Sequence, residues 1–221
     1  MSEPIPVNAP SPRATLKRLP QRGLYDRATI HAILDEGFIA HLGVVVDGAP
    51  RVIPFVYARI GDFVYLHGST GNRVLRALRD GTPVCLTVTH VDGLVLARSA
   101  FHHSVNYRSV VVHAQGVEVT DPEERRRALD ATVDHVVPGR ARDVRPPNEE
   151  ELRRTMVVRL PLAEASAKVR SGGPIDDEED LALSFWAGVV PVGPAFGSPL
   201  GDGLLRPDIA VPDYLVGYSR P

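Results

Sequence analysis

Between Phe38 and His67 the chain twice sets a tight-turn dipeptide between β-rich runs: FIAHLGVVV, Asp47-Gly48, RVIPFVYARI, Gly61-Asp62, FVYLH. Such dipeptides supply the positive φ that two-residue primed turns need, so three antiparallel strands are expected in succession. The same grammar resumes with PVCLTVTHV, an Asp92-Gly93 turn and LVLARS, and later with SVVVHAQGVEV and TMVVRLPL. Helices are few. Asp26 caps one whose Ile30, Ile33 and Leu34 share a stripe and which ends at Gly37. GNRVLRALRDG gives a short second, and Asp121-Pro122-Glu123-Glu124 opens a third that runs to about Val136. Asn148 to Arg154 reads as one more helical turn, whereas Ser99 to Arg108 and Pro138 to Pro147 read as loops. This pattern excludes βαβ alternation and predicts a mainly β protein: a small antiparallel barrel with a few peripheral helices.

Residues 1–20 carry five prolines and read as an extended arm, leaving residues 21–221 as a single domain with an irregular Gly- and Pro-rich C-terminal extension around and beyond Trp186. The five acids Asp176 to Asp180 read as a solvated face.

The 25 basic and 27 acidic residues leave a formal net charge of -2, which argues against a nucleic-acid or anionic-membrane partner held by bulk charge. A charged ligand must be gripped locally. Lys17 and Lys168 are the only lysines, so 23 of the basic residues are arginines, a bias read first as genome composition. Cys85 is the only cysteine, which denies the chain a disulfide, a CxxC pair or a thiolate zinc cluster and fits a reducing cytoplasm. No apolar stretch reaches the roughly 20 residues of a membrane span, and MSEPIPVNAP lacks the order of a signal peptide. The glycine-rich nucleotide motifs and the common hydrolase and metalloprotease signatures are absent.

The segment HGSTGNR, His67 to Arg73, stands where a strand meets a helix. Its small residues let backbone N–H groups point at one spot, Ser69 and Thr70 add hydroxyls, and Arg73 adds a full charge, together a phosphate cradle. The preceding run RVIPFV also starts with an arginine, Arg51, and the two cations could converge on one dianion. Pro54 inside that run marks an edge, a bulge, or a place where a flat ligand replaces a neighbouring strand. Arg108 and Ser109 open a later strand. His102 and His103 are adjacent and so project apart, and with no third ligand identifiable no metal site is expected.

In this order, RVIPFVYARIGDFVYLHGSTGNRVLRAL, PVCLTV and SAFHHSVNYRSVVVHAQG resemble the pyridoxamine 5'-phosphate oxidase-like flavoproteins, the FMN-binding split β-barrels, and most closely their flavin-nucleotide-binding or nitroimidazole-resistance-like branch. The resemblance runs from about Leu24 to Gly173. It implies an FMN whose phosphate is held by Arg51 and Arg73 with Ser69, Gly71 and Asn72. It further implies an isoalloxazine edge lined by the backbone of Val52, Ile53, Pro54 and Phe55, His67 near the phosphate or ribityl chain, and Arg108 with Ser109 facing the flavin. The family also implies a homodimer with two FMN sites at the interface. The chain ends PDYLVGYSRP and lacks the Arg-x-His element with which the vitamin-salvage oxidases grip pyridoxal phosphate, so pyridoxamine oxidation is disfavoured. The expected activity is hydride transfer between flavin and a small-molecule substrate, with His102, His103 and Tyr107 as candidate catalytic residues. Related barrels bind deazaflavin or haem, or carry flavin without turnover, and these alternatives stay open.

Overall fold

The structure, a computed structural model, describes residues 9–220. The arm's first eight residues therefore lie outside the described part. Its remainder packs on the barrel: Ala14 is buried, and the Leu16 amide donates to the Tyr25 hydroxyl at 2.9 Å.

In chain order the elements are β1 (Gly23–Leu24), α1 (Arg27–Glu36), β2 (Ile39–Val46), β3 (Ala49–Ile60), β4 (Phe63–Ser69), α2 (Arg73–Arg79), β5 (Pro83–Leu96), β6 (Ser104–Gln115), β7 (Val117–Glu118), α3 (Pro122–Val136), α4 (Glu149–Arg154), β8 (Thr155–Pro161), β9 (Ala165–Arg170) and β10 (Gly188–Pro191). All described pairings are antiparallel, in the order β1-β9-β6-β5-β2-β3-β4-β8-β7, with β10 added to β5. The chain itself joins the two ends of this path: β6 pairs with β9, and just past Gly116 its continuation β7 pairs with β8. Inside lie Leu42, Leu66, Leu86, Val110, Val158 and Leu160, closed off by Leu34 of α1 and Leu75 and Leu78 of α2. These apolar positions alternate along each strand, as burial of one face requires.

Both early hairpins form as the dipeptides require. Asp47 and Gly48 both hold positive φ, as a type I′ turn needs, and Gly61 does so at the first turn position. Asp26 caps α1 through the Thr29 amide at 2.8 Å, Asp121 caps α3 through the Glu124 amide at 2.7 Å, and Asn148 with Glu151 forms a capping box on α4.

Asp92-Gly93 makes no hairpin. The strand β5 runs through it, with a bulge against β6 between Val91 and Gly93. Glycine is needed there for closeness: a Cβ would stand 2.8 Å from Val189 Cγ1 of β10. The second half of the expected loop from Ser99 to Arg108 is strand, since β6 starts at Ser104 and places Tyr107, Arg108 and Ser109 within it. The acidic run is not wholly solvated. The Asp176 side chain is only 1% exposed and binds both the backbone and the guanidinium of Arg98.

The C-terminal extension runs from β10 outward and returns. Phe196 meets the Tyr218 ring edge-on, and Arg220 donates to Asp35 O and Glu36 O at the end of α1 and to His135 O and Val136 O at the end of α3. One guanidinium thereby satisfies carbonyls that both helix ends leave without partners. Between those anchors Leu200 and Leu204 are about nine-tenths exposed. No helix among the described residues is long and apolar enough to cross a membrane.

Candidate functional site

The site begins where β3 changes partner. Its residues Ala49 to Val56 pair with β2, and only Tyr57 to Ile60 pair with β4. The segment from Arg51 to Phe55 is therefore not a ladder neighbour of β4, as the order of the segments suggested, and its second edge carries no strand among the described residues. Along it Arg51, Ile53 and Phe55 turn toward the barrel's inner face, opposite Val44, Leu42 and Ala40, while Val52 and Pro54 face outward.

The loop after β4 is tightly bonded to itself. Thr70 N–H donates to Arg154 O at 3.0 Å, Asn72 N–H to Ser69 O at 2.9 Å and Gly71 N–H to Ser69 Oγ at 3.2 Å. Asn72 Oδ1 accepts from the amides of Val74 and Leu75, capping α2. The amides of Thr70, Gly71, Asn72, Val74 and Leu75 are therefore engaged, the last two by Asn72 as the helix cap. An anion here must be held mainly by side chains. Arg73 is free to do so: its side chain is 79% exposed and comes no closer than 4.0 Å to Asp47. It lines an open cleft of about 560 Å³ with Asp47, Arg76, Asp80 and Thr82. Arg51 lines a neighbouring cleft of about 370 Å³ with Pro50, Val52, Cys85 and His113, and the two clefts share Val45. Thus Arg51 and Arg73 line separate clefts that adjoin at Val45 and do not converge in one cavity.

His67 points elsewhere. On β4 it alternates with the core residue Leu66 and faces α3, where it lines a cleft of about 320 Å³ with Leu129, Val133, Val144 and Pro146. Its Nδ1 is buried with no hydrogen-bond partner, and burial pushes its pKa down, so the ring is neutral near pH 7. Alternation along β4 would have shown that His67 and Leu66 cannot share a face.

Arg108 is fully occupied. Its guanidinium forks onto Glu36 of α1 and onto Asp92 of β5, at 2.7 Å from Glu36 Oε1 and 2.8 Å from Asp92 Oδ1. These contacts hold both carboxyls below their usual range and push the Arg108 pKa up. Ser109 Oγ donates to Lys168 O at 3.3 Å. His102 Nε2 lies 3.1 Å from Asp177, and His103 Nδ1 lies 2.9 Å from Ser99 O. Tyr107 pairs with Val91, eight residues along β5 from Pro83, which follows α2. At about 3.3 Å per residue that is roughly 26 Å of strand. Within one chain these candidates and Arg73 stand at opposite ends of the sheet.

A family model described as pyridoxamine 5'-phosphate oxidase matches residues 26–169. The chain belongs to this family. Among solved members of the pyridoxamine 5'-phosphate oxidase fold, the flavocytochrome Anf3 from Azotobacter vinelandii is 39% identical over 97% of this chain and 100% of its own, with a TM-score of 0.91. The FAD and haem binding protein from Mycobacterium smegmatis is 34% identical over 90% of this chain and 98% of its own, with a TM-score of 0.85. A Bacteroides thetaiotaomicron protein ascribed to 5-nitroimidazole antibiotic resistance is 23% identical over 66% of this chain and 86% of its own (TM-score 0.56) and shares the fold. No curated protein matches.

Proposed function

We propose that this chain is a flavin- and haem-binding oxidoreductase of the pyridoxamine 5'-phosphate oxidase family. The observation that carries the reading is coverage. The family model stops at residue 169, yet the flavocytochrome and the FAD and haem binding protein match 97% and 90% of the chain, reaching into the extension beyond the barrel. What this chain shares with those two is more than the flavin-binding core.

Arg73 and Arg51 are the flavin-phosphate ligands in this reading, assisted by the Ser69 and Thr70 hydroxyls, and the strand-free edge of Val52 to Phe55 takes the ring. FMN is what the resemblance implies, while the M. smegmatis protein carries FAD by its description, and the phosphate beside the ribityl chain is common to both. The cleft at His67 is the place for a haem in this reading: the imidazole is neutral, a form that iron takes, and the cleft it lines joins Leu129, Val133 and Val144 with the charged Asp130, Arg145 and Glu151. His67 would hold the iron, and Leu129, Val133 and Val144 would form the apolar part of the wall. Bound flavin and haem would supply electron and hydride transfer, and the chain supplies position and electrostatics.

A homodimer completes the reading. Exposed Val45 and Val52 on the outer sheet face, Phe101 at 88% exposure, and the apolar crown of the extension call for a covering surface, and a second copy would bring Tyr107, His102 and His103 toward a flavin held by its twin. The one cysteine, Cys85, fits the cytoplasm.

The deciding experiment is the absorbance spectrum of the purified protein, before and after haem addition, with mass analysis of the cofactors released on denaturation. Flavin bands with a Soret band support the reading. Flavin alone reduces it to a flavoprotein, and neither cofactor refutes it. Arg73→Ala is expected to weaken flavin binding about tenfold or more, because it removes a charge-assisted contact of roughly 1.5–3 kcal/mol.

A further inference from the structure

Both lysines of the chain line one cleft. Lys17, on the arm, and Lys168, on β9, border a recess of about 170 Å³ with Arg18, Ser109 and Ser166. None of its lining residues is acidic, and among the described residues no carboxylate lies within 4 Å of Lys17, Arg18 or Lys168. In a chain of net charge -2, three adjacent cations with no carboxylate among them form a local concentration of positive charge.

The backbone builds it. On β9, Ala165, Ala167 and Val169 pack toward the core, so Ser166, Lys168 and Arg170 share the outer face. Directly across on β6 stand Val111 for Ser166, Ser109 for Lys168 and Tyr107 for Arg170. The arm crosses this row, and Lys168 Nζ donates to Arg18 O at 3.2 Å, pinning the arm while keeping two N–H donors for other use. Immediately after Arg18, Leu19 holds a left-handed conformation with φ of 55°, which a leucine adopts only where its surroundings force it.

The row continues into a charge without a counter-ion. Arg170 is 7% exposed, yet its guanidinium meets only neutral oxygens, those of Asn106, Gly172 and Gly173. Burial and the nearby charge of Arg22 both lower its pKa. The three cations of the cleft thus stand on the same face of the sheet as a fourth, Arg170, and a cluster of this kind attracts an anion.

We propose that this cleft is a phosphoryl-binding site, separate from the Arg73 cleft, in which Lys17, Arg18 and Lys168 hold one phosphate group of a phosphorylated small molecule and the Ser166 hydroxyl donates to it. The volume equals roughly five or six water molecules at about 30 Å³ each, enough for a phosphate group and too little for a nucleoside, whose remainder would project from the rim. The cations suit a dianion, and the site stands whether or not the flavin reading does.

The test is a thermal-shift and calorimetric titration of the full chain with inorganic phosphate, ADP and adenosine. Phosphate and ADP should bind saturably while adenosine does not. ADP binding at least tenfold tighter than phosphate identifies a nucleotide as the source of the group, and equal affinity identifies the free ion. The Lys17→Met/Lys168→Met variant should lose tenfold or more in affinity for both, and so should Arg18→Met, whose exposed side chain can be removed without risk to the fold. Arg73→Ala should bind phosphate unchanged. FMN binding retained by the double variant would leave the flavin reading intact whatever the phosphate result. Absence of saturable binding, equal affinity in the lysine variant, loss in Arg73→Ala instead, or a dimer that dissociates in the lysine variant with phosphate binding unaltered would each overturn the proposal.

Discussion

Replacing Arg108 by leucine separates a structural role from a flavin-contacting one. The wild-type guanidinium joins Glu36 at the end of α1 to Asp92 at the bulge of β5, with all three side chains between 22% and 33% exposed. Exposed pairs contribute about 0–1 kcal/mol and breaking a buried pair costs about 3–5 kcal/mol, so this two-carboxylate clamp should fall near 2 kcal/mol. For a chain of this size the loss lowers the melting temperature by roughly 4–8 °C. The deficit should depend on pH with a definite sign. Because Arg108 depresses the folded-state pKa of Glu36 and Asp92, their contribution is present above the ordinary carboxylate range and is lost as pH falls through the folded values. The difference between wild type and variant should thus be full at pH 7 and shrink progressively below about pH 5. Calorimetric melting at stepped pH, with flavin titration at pH 7, reads both quantities, and flavin affinity should stay within about threefold. A melting deficit under 1 °C at pH 7, a deficit that does not change with pH, or a flavin affinity that collapses would show that the clamp is not what Arg108 is for.

Gly93→Ala should cost about 1–3 kcal/mol, because the added methyl overlaps Val189, and should loosen β10, visible as faster hydrogen exchange in residues 188–191. Arg220→Met should remove the tie between the ends of α1 and α3, with limited proteolysis expected between Phe196 and Tyr218 well before the barrel is cut. His67→Ala should abolish the Soret shift on haem addition while leaving flavin bands in place, and unchanged haem binding would remove His67 from the reading.

What was legible in the sequence was what local geometry decides. Asp47-Gly48, Gly61-Asp62, the caps at Asp26 and Asp121 and the helical turn from Asn148 act within a few residues of themselves, and each formed as expected. Asp92-Gly93 carries the same letters but is answered by a distant strand, β10, whose approach turns a hairpin signal into a bulge. Strand β9, ASAKVR, gave no signal because its inward residues are mostly alanine and its outward ones polar. The site divides along the same line. Position on a strand could be read for Arg51 and at a helix start for Arg73, but whether a cation is already engaged could not, since Glu36 is 72 residues from Arg108. The engaged amides of Val74 and Leu75 follow from Asn72 acting as a helix cap, a signal the sequence held in the order Asn72-Arg73-Val74-Leu75.

The change of partner along β3 has a consequence for solubility. All eight register pairs from Ala49 to Val46 through Val56 to Ile39 are made with β2, which leaves the other edge of this stretch open. An open edge invites any stray strand to zip along it. Pro50 and Pro54, four residues apart, point to the same edge of the strand, and neither has an N–H to offer. With the β2 ladder unbroken, that edge is the open one. A second chain seeking a continuous ladder finds two gaps in it, so the edge is guarded against aggregation without a covering strand and remains accessible to a ligand that needs no ladder.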